Sequence, residues 1–188
     1  MAVTELFLRR KHGATLEAVT SISCGTNGIV GGIACAPFRQ VLIASRPVMA
    51  ECGLKPGDLR ENAVVDFASL YDLPSGTVVK IGRALLRLTF HCEPCKKILH
   101  LIDFDAIVHR RGVFASVLRA GEISLGDRFE VTGHTLEPIP YAVNERIRWF
   151  LKKHGGRGAT RDLIHAIGLP AAYSRAMPRL MAKFLARG

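Results

Sequence analysis

The chain has 188 residues, 48% of them hydrophobic, and a formal net charge of +10 at pH 7. This composition excludes a disordered protein and supplies a core for one domain of ordinary size with an appendage, or for two compact domains. Its uncharged apolar runs are far shorter than the roughly 20 residues of a membrane-spanning helix, and its first residues lack the pattern of a secretion signal. We therefore expect a cytoplasmic protein without a membrane partner.

Most of the chain up to about residue 133 is predicted to form short β-strands. Each predicted strand is rich in β-branched or aromatic residues and is bounded by Gly, Pro, Asp or Asn. Short strands with few long helical intervals favour a β-barrel or sandwich over alternating βαβ units. Short helices are expected at 47–52 and directly after Cys95. The predicted strands are 16–22, 39–43, 61–65, 77–81, 85–90, 113–118 and 128–132.

A small helical module follows the strands. Residues 133–140 contain two prolines and no periodicity, as is typical of a linker. We place a domain boundary there, between a mainly β domain, 1–137, and a C-terminal module, 138–188. Apolar residues at helical spacing then predict three helices. The pair Gly155-Gly156 is expected to end the first helix, and Thr160 to cap the second.

The third helix carries much of the basic character of this module. Residues 140–188 contain ten Lys and Arg against two Asp and Glu, whereas residues 1–139 contain 16 against 14. Such an asymmetry indicates an anionic partner, with nucleic acid as one candidate. Pro178 predicts that the helix is kinked or split near Met177, because proline disrupts a helix interior. The predicted nucleic-acid contacts, on one helix face, are Arg175, Arg179 and Lys183.

The chain contains five cysteines, an odd and dispersed set that does not suggest a disulfide framework. Only Cys92 and Cys95 lie close together, in the sequence His91-Cys92-Glu93-Pro94-Cys95. A zinc site requires about four ligands, and the other cysteines are single and far apart. A thiol-redox pair, one reactive or metal-binding thiolate at Cys95, and two core thiols all remain open. A helix N-terminus and neighbouring lysines would favour the thiolate of Cys95.

Six motifs follow one another along the predicted strands. They are Arg39-Gln40-Val41, Glu61-Asn62, an L-x-x-G-x-x-x-x-I-G hairpin at 73–82, Pro94-Cys95, R-G-V-x-A-x-V at 111–117 and G-x-I-x-x-G-D at 121–127. Their order and spacing resemble the MOSC family, the domain found at the C-terminus of molybdenum cofactor sulfurases. The resemblance spans roughly residues 16 to 133.

The resemblance implies a β-barrel-like fold in which Cys95, the cysteine of the Pro-Cys motif, faces a pocket. In the family this cysteine is proposed to bind the metal of the molybdenum cofactor or to carry sulfur. The implied function is therefore cofactor binding or sulfur transfer in support of an oxidoreductase. The partners that this function implies are molybdopterin, a sulfur-donor protein or a redox protein. Whether the chain is itself an enzyme stays open. Charge or amide groups suited to the anionic pterin phosphate are found on Arg39, Asn62, Lys96, Lys97, Arg110 and Arg111.

The helical module has a second, shorter resemblance. Residues 163–177 are similar to the helix-turn-helix part of alkylguanine-DNA alkyltransferases, in which an arginine at the position of Arg175 is used in DNA binding. This module contains no cysteine, so alkyl transfer is excluded from the segment. The alternative functions are thus a nucleic-acid-associated binding protein, or a redox protein that uses Cys92 and Cys95.

Overall fold

A computed structural model of the protein describes residues 1–33, 36–154, 160–169 and 171–185, with only the backbone described at 160–162, 171–172 and 183–185. The strands are β1 (Val3–Leu8), β2 (Glu17–Val19), β3 (Ser21–Gly25), β4 (Gly28–Ile29), β5 (Val41–Ser45), β6 (Ala63–Val65), β7 (Thr77–Ile81), β8 (Ala84–His91), β9 (Val113–Arg119), β10 (Gly121–Ser124) and β11 (Phe129–Thr135). The helices are α1 (Arg46–Glu51), α2 (Phe104–Ile107), α3 (Val143–Lys153), α4 (Thr160–Ala166) and α5 (Met177–Leu185), with single 3-10 segments at Ala68–Asp72 and Ala171–Arg175.

Eight strands form one sheet in the order β11-β7-β8-β9-β5-β6-β1-β2, and three form a second sheet in the order β10-β3-β4. Neighbouring strands are antiparallel except β5 and β6, which run parallel. The mainly β fold predicted from the sequence is confirmed. The predicted barrel, however, is not closed. The start of β1 meets the segment before β11 through the isolated bridge Ala2↔Arg128 and a hydrogen bond from Gly126 N to Val3 O, and these two segments do not form a continuous strand pair.

The main apolar core lies between the two sheets. Alternate residues of β8, such as Leu86 and Leu88, are fully buried against Ile22 and Ile123 of the smaller sheet. A second apolar cluster lies under α1 and α2, where Met49 and Ile107 are buried. Burial of such side chains contributes about 1.5–3 kcal/mol each, so the two clusters hold the strand ends that carry the site.

Several sequence predictions differ from the observed elements. The strand β1 was not predicted, and the predicted strand 16–22 is two strands, because at Thr20 the chain passes from the larger sheet to the smaller one. The prediction of a helix directly after Cys95 is also wrong. Two successive turns follow instead, in which the amide of Ile98 donates to Cys95 O at 3.0 Å and that of Leu101 donates to Ile98 O at 2.9 Å.

The helices α3, α4 and α5 pack around a separate apolar cluster that includes Ile147, Leu163 and Met177. The split of the third helix is confirmed, since α5 begins at Met177 and Pro178 lies in its first turn, where proline is tolerated. The residues Gly155-Gly156 and the side chain of Thr160 lie outside the described part. Within the described residues, no helix combines the length and apolar character needed to cross a membrane.

Candidate functional site

A cavity of about 1230 Å³ lies between the β-sheets and the C-terminal helices. One wall is formed by the strand residues Leu42 and Phe114, and the opposite wall by Ile164 and Leu169 of the helical module. The segment 92–95, which follows β8, contributes all four of its residues to the lining. Both parts of the chain therefore build this cavity, and the Pro-Cys motif lies on its surface.

Cys92 and Cys95 differ in their environment. Cys92 is only 2% exposed, its amide donates to Gly112 O at 2.8 Å, and its thiol donates to the carbonyl of Glu93 at 3.8 Å. Burial raises the pKa of Cys92 to about 11, although the guanidinium groups of Arg111 and Arg39 oppose the shift. Cys95 is half-buried at the cavity surface. Of the two thiols, Cys95 is the accessible one.

Glu93, between the two cysteines, is held by three arginines. Its Oε2 atom accepts from Arg39 Nη2 at 2.6 Å, and its Oε1 atom accepts from Arg146 Nη2 at 2.8 Å. Its carbonyl oxygen accepts from Arg111 Nη1 at 2.5 Å. Burial by itself raises the pKa of Glu93, but Arg39, a local backbone hydrogen bond and Arg146 outweigh it and hold the pKa below its usual range. Glu93 is therefore a carboxylate at neutral pH.

The charged side chains in the cavity lining are predominantly cationic. Among the described residues the lining includes five Lys and Arg side chains and one carboxylate, that of Glu93. The buried Nε atoms of Arg39 and Arg111 find no hydrogen-bond acceptor in the described part of the chain. These Nε atoms are enclosed by the protein, so it is the positive charge of the guanidinium groups in the lining that suits an anionic ligand. The five cations are Arg9, Arg39, Arg60, Lys97 and Arg111.

Two of these cations, Arg9 and Arg60, were missed in the sequence analysis. Arg9 follows directly after β1, the strand that was not predicted. Arg60 precedes the Glu61-Asn62 motif and adopts a φ of 62°. That left-handed conformation is unusual for a residue other than glycine. The position next to a recognised motif was the only sequence signal that pointed to Arg60.

The other predicted cofactor contacts are only partly brought together. Asn62 lines the cavity, but its Oδ1 accepts from Leu42 N at 2.9 Å, so the side chain also connects β-strand backbones. Lys97 is exposed on the cavity surface. Lys96 is exposed and does not belong to the lining, and Arg110 is ion-paired with Glu51 away from it.

Of the predicted nucleic-acid residues, Arg175 and Arg179 do not line the cavity. Arg175 and Arg179 are exposed on the helical module, and the side chain of Lys183 lies outside the described part. Their neighbours Tyr173 and Ser174 do reach the cavity. Within the described residues no three His, Cys, Asp or Glu side chains converge as a metal site.

A sequence model of the MOSC domain matches residues 34–130, more than half of the chain. Curated proteins offer no match to the sequence. Among solved structures, the YUAD protein from Bacillus subtilis has a TM-score of 0.59 at 18% identity, covering 72% of this chain and 96% of that one.

Two further solved structures also include the helical module in their alignment. YiiM from Escherichia coli has a TM-score of 0.54 at 19% identity and covers 98% of this chain and 94% of its own. YiiM from Geobacillus stearothermophilus has a TM-score of 0.57 at 15% identity, with coverages of 96% and 98%. At these identities the likeness shows a shared fold.

Proposed function

This chain belongs to the MOSC domain family, a family associated with the molybdenum cofactor, and from that premise we propose that the cavity binds this cofactor with Cys95 as the metal ligand. The observation that carries the proposal is the combination, around the same cavity, of the accessible thiol of Cys95 with the guanidinium groups of Arg39 and Arg111. A thiolate is a soft ligand suited to such a metal, and guanidinium groups suit a phosphate.

The residues present fit such a cofactor. Arg39 and Arg111 are largely buried, lie in the lining and each retain an unpaired Nε donor among the described residues. They would hold the pterin phosphate, with Arg60 and Lys97 adding positive charge at the lining. When bound, the cofactor supplies two-electron redox chemistry at its metal, or accepts sulfur delivered through a cysteine.

The chain's own residues have distinct tasks in this proposal. Cys95 presents its sulfur to the cavity, and the apolar side chains of Leu42, Phe114 and Ile164 limit the access of water to it. Cys92 remains a thiol at neutral pH, because burial raises its pKa to about 11. This difference favours a single working thiolate over a symmetric redox pair.

The test is metal and pterin analysis of protein freshly purified from a cofactor-producing host. We expect molybdenum and pterin in the wild type, and a loss of about tenfold or more in Cys95→Ala, since the loss of one ligand weakens metal affinity at least as much as the loss of a supporting contact. Cys52→Ala is the matched control, because Cys52 is half-buried outside the cavity lining. Equal molybdenum content in wild type and Cys95→Ala would refute metal binding by Cys95.

Sulfur carriage is distinguished by a persulfide assay on the same samples. Cyanide-releasable sulfur that disappears in Cys95→Ala but remains in Cys52→Ala, without molybdenum, would assign sulfur transfer in place of cofactor binding. If neither molybdenum nor persulfide depends on Cys95, both forms of the proposal fail.

Nucleic-acid binding by the helical module is a second candidate. It is supported by the exposure of Arg175 and Arg179 and by the ten-to-two excess of basic residues in 140–188. The full chain would then bind duplex DNA with an affinity that falls steeply with salt, and Arg175→Ala with Arg179→Ala would reduce the slope by about two. Absence of binding in low salt would eliminate this candidate.

A further inference from the structure

We infer that Arg146, on helix α3 of the C-terminal module, is a positioning residue that fixes the cysteine loop through Glu93. The loop in question is 92–95, which carries Cys95 at the cavity surface. The inference rests on the proposed function only in that Cys95 is taken as the residue that binds the metal or carries the sulfur. The contacts themselves involve this chain alone.

Arg146 has an unusual position for an arginine in a basic helical module. It is 0% exposed, the largest of the fully buried side chains, although it lies on an amphipathic helix with solvent on its other face. Its Nη2 atom is 2.8 Å from Glu93 Oε1, and its Nη1 atom donates to the carbonyl of Ile167 at 3.1 Å. One guanidinium thus joins the cysteine loop to the chain just after α4.

The same guanidinium also packs on the end of β8. Its central carbon lies 3.9 Å from the centroid of the Phe90 ring, two residues before Cys92. A cation over an aromatic face is stabilising, more so where water is excluded. Arg146 therefore contacts three segments at once: the last residues of β8, the cysteine loop and the turn after α4.

Contact with two acceptors at once requires a guanidinium group, which is planar and has two terminal nitrogens. The two terminal nitrogens of Arg146 point to two acceptors that belong to different elements, and lysine, with one nitrogen, cannot reproduce both contacts in this geometry. On the far side of the Glu93 carboxylate, Arg39 holds the other oxygen at 2.6 Å. The carboxylate is thus fixed between a cavity residue and a helical residue, which restricts the backbone that leads into Pro94 and Cys95.

The turn after α4, at Gly168, packs closely against Phe38 and Phe90, next to the contact between Arg146 and the Ile167 carbonyl. A Cβ atom at Gly168 would lie 3.3 Å from Phe38 Cβ and 3.3 Å from Phe90 Cζ, and the φ of Gly168 is +68°. Glycine is therefore suited to bring this turn against β8, and it places the Ile167 carbonyl within reach of Arg146. The helical module is docked at the site, so it can act on the cysteine loop directly.

The experiment measures the alkylation rates of individual cysteines in metal-free full-length protein by peptide-resolved mass spectrometry with iodoacetamide. In Arg146→Met we expect the Cys95 rate to rise at least about threefold, because a released loop exposes a half-buried thiol more often. The Cys52 rate should stay as in the wild type, because Cys52 lies in the apolar cluster under α1. Arg146→Lys, which keeps the charge, should fall between wild type and Arg146→Met.

Lys152→Met, on an exposed position of the same helix, is the matched control and should leave both rates unchanged. If Arg146→Met does not fold, Glu93→Gln weakens this contact and that of Arg39 together from the loop side, and it should raise the Cys95 rate alone. Equal changes at Cys95 and Cys52, or no change at Cys95, would overturn the inference and leave Arg146 a packing residue of the helices.

Molybdenum content, measured separately on cofactor-loaded protein, keeps the two ideas apart. A Cys95 rate that responds to Arg146, in protein in which neither molybdenum nor persulfide depends on Cys95, supports the positioning role and refutes the proposed function. Molybdenum that depends on Cys95, together with a Cys95 rate insensitive to Arg146, supports the function and refutes the positioning role.

Discussion

Cys92 is predicted to be a poor nucleophile at neutral pH, and the size of the effect follows from its burial. With a pKa of about 11, about one molecule in a thousand carries the Cys92 thiolate at pH 8, compared with about one in four for an ordinary cysteine of pKa about 8.5. The more basic thiolate is intrinsically about tenfold more nucleophilic. The net expectation is alkylation about 20-fold slower than that of a small model thiol, before any steric protection.

The assay is the rate of iodoacetamide alkylation of Cys92 at several pH values between 7 and 10, with circular dichroism to show that the protein stays folded. The rate should increase about tenfold per pH unit over the whole range, since the group titrates only near 11. Cys92→Ser provides the peptide control. A Cys92 rate that levels off near pH 9, or equals that of the model thiol at pH 8, would refute the reasoning and restore the redox-pair hypothesis.

Three further outcomes are expected. Because Arg39 and Arg146 hold the pKa of Glu93 low, its stabilisation is present above about pH 4, the ordinary value for glutamate, and disappears as the pH falls through the lowered value. Urea unfolding should therefore show Glu93→Gln less stable than wild type at pH 7, with a difference that shrinks as the pH falls below about 4; a difference independent of pH would contradict this. Arg111→Met should reduce retained molybdenum and pterin while Arg110→Met should not, since Arg110 pairs with Glu51 outside the cavity lining; equal losses would contradict the placement. A Cβ at position 121 would lie 2.4 Å from Arg83 C, so Gly121→Ala should reduce the free energy of unfolding by about 1–3 kcal/mol. An unchanged denaturation midpoint would show that the turn between β7 and β8 moves to make room for the methyl group.

The hairpin of β7 and β8 was predicted well, with its turn at Gly82 and with Ile81 paired to Ala84. Alternation and turn residues are local signals, so single strands and hairpins can be found from them. Strands such as β5 and β9 were also predicted, but their pairing with each other has no local signal. The same holds for the place of β1 in the sheet, between β2 and β6, the latter nearly 60 residues away.

The residues of the candidate site likewise divide into those found from local motifs and those placed by the order of the strands. The Pro94-Cys95 motif and the cations Arg39, Lys97 and Arg111 were found from sequence motifs, and all of them line the cavity. Which further cations join them depends on strand order. Arg9 enters the lining at the end of β1, and its role could not be predicted without that strand.

Composition and motif order were sufficient to determine a mainly β chain of the MOSC family with a basic helical tail and one notable Pro-Cys segment. Only the tertiary structure decided what each charge does. Arg146 belongs by sequence to the basic tail, yet it is fully buried against Glu93, which lies 53 residues earlier. The physical reason is that a charge is stabilised by its nearest partner and by its degree of hydration, and both are set by folding across long sequence separations.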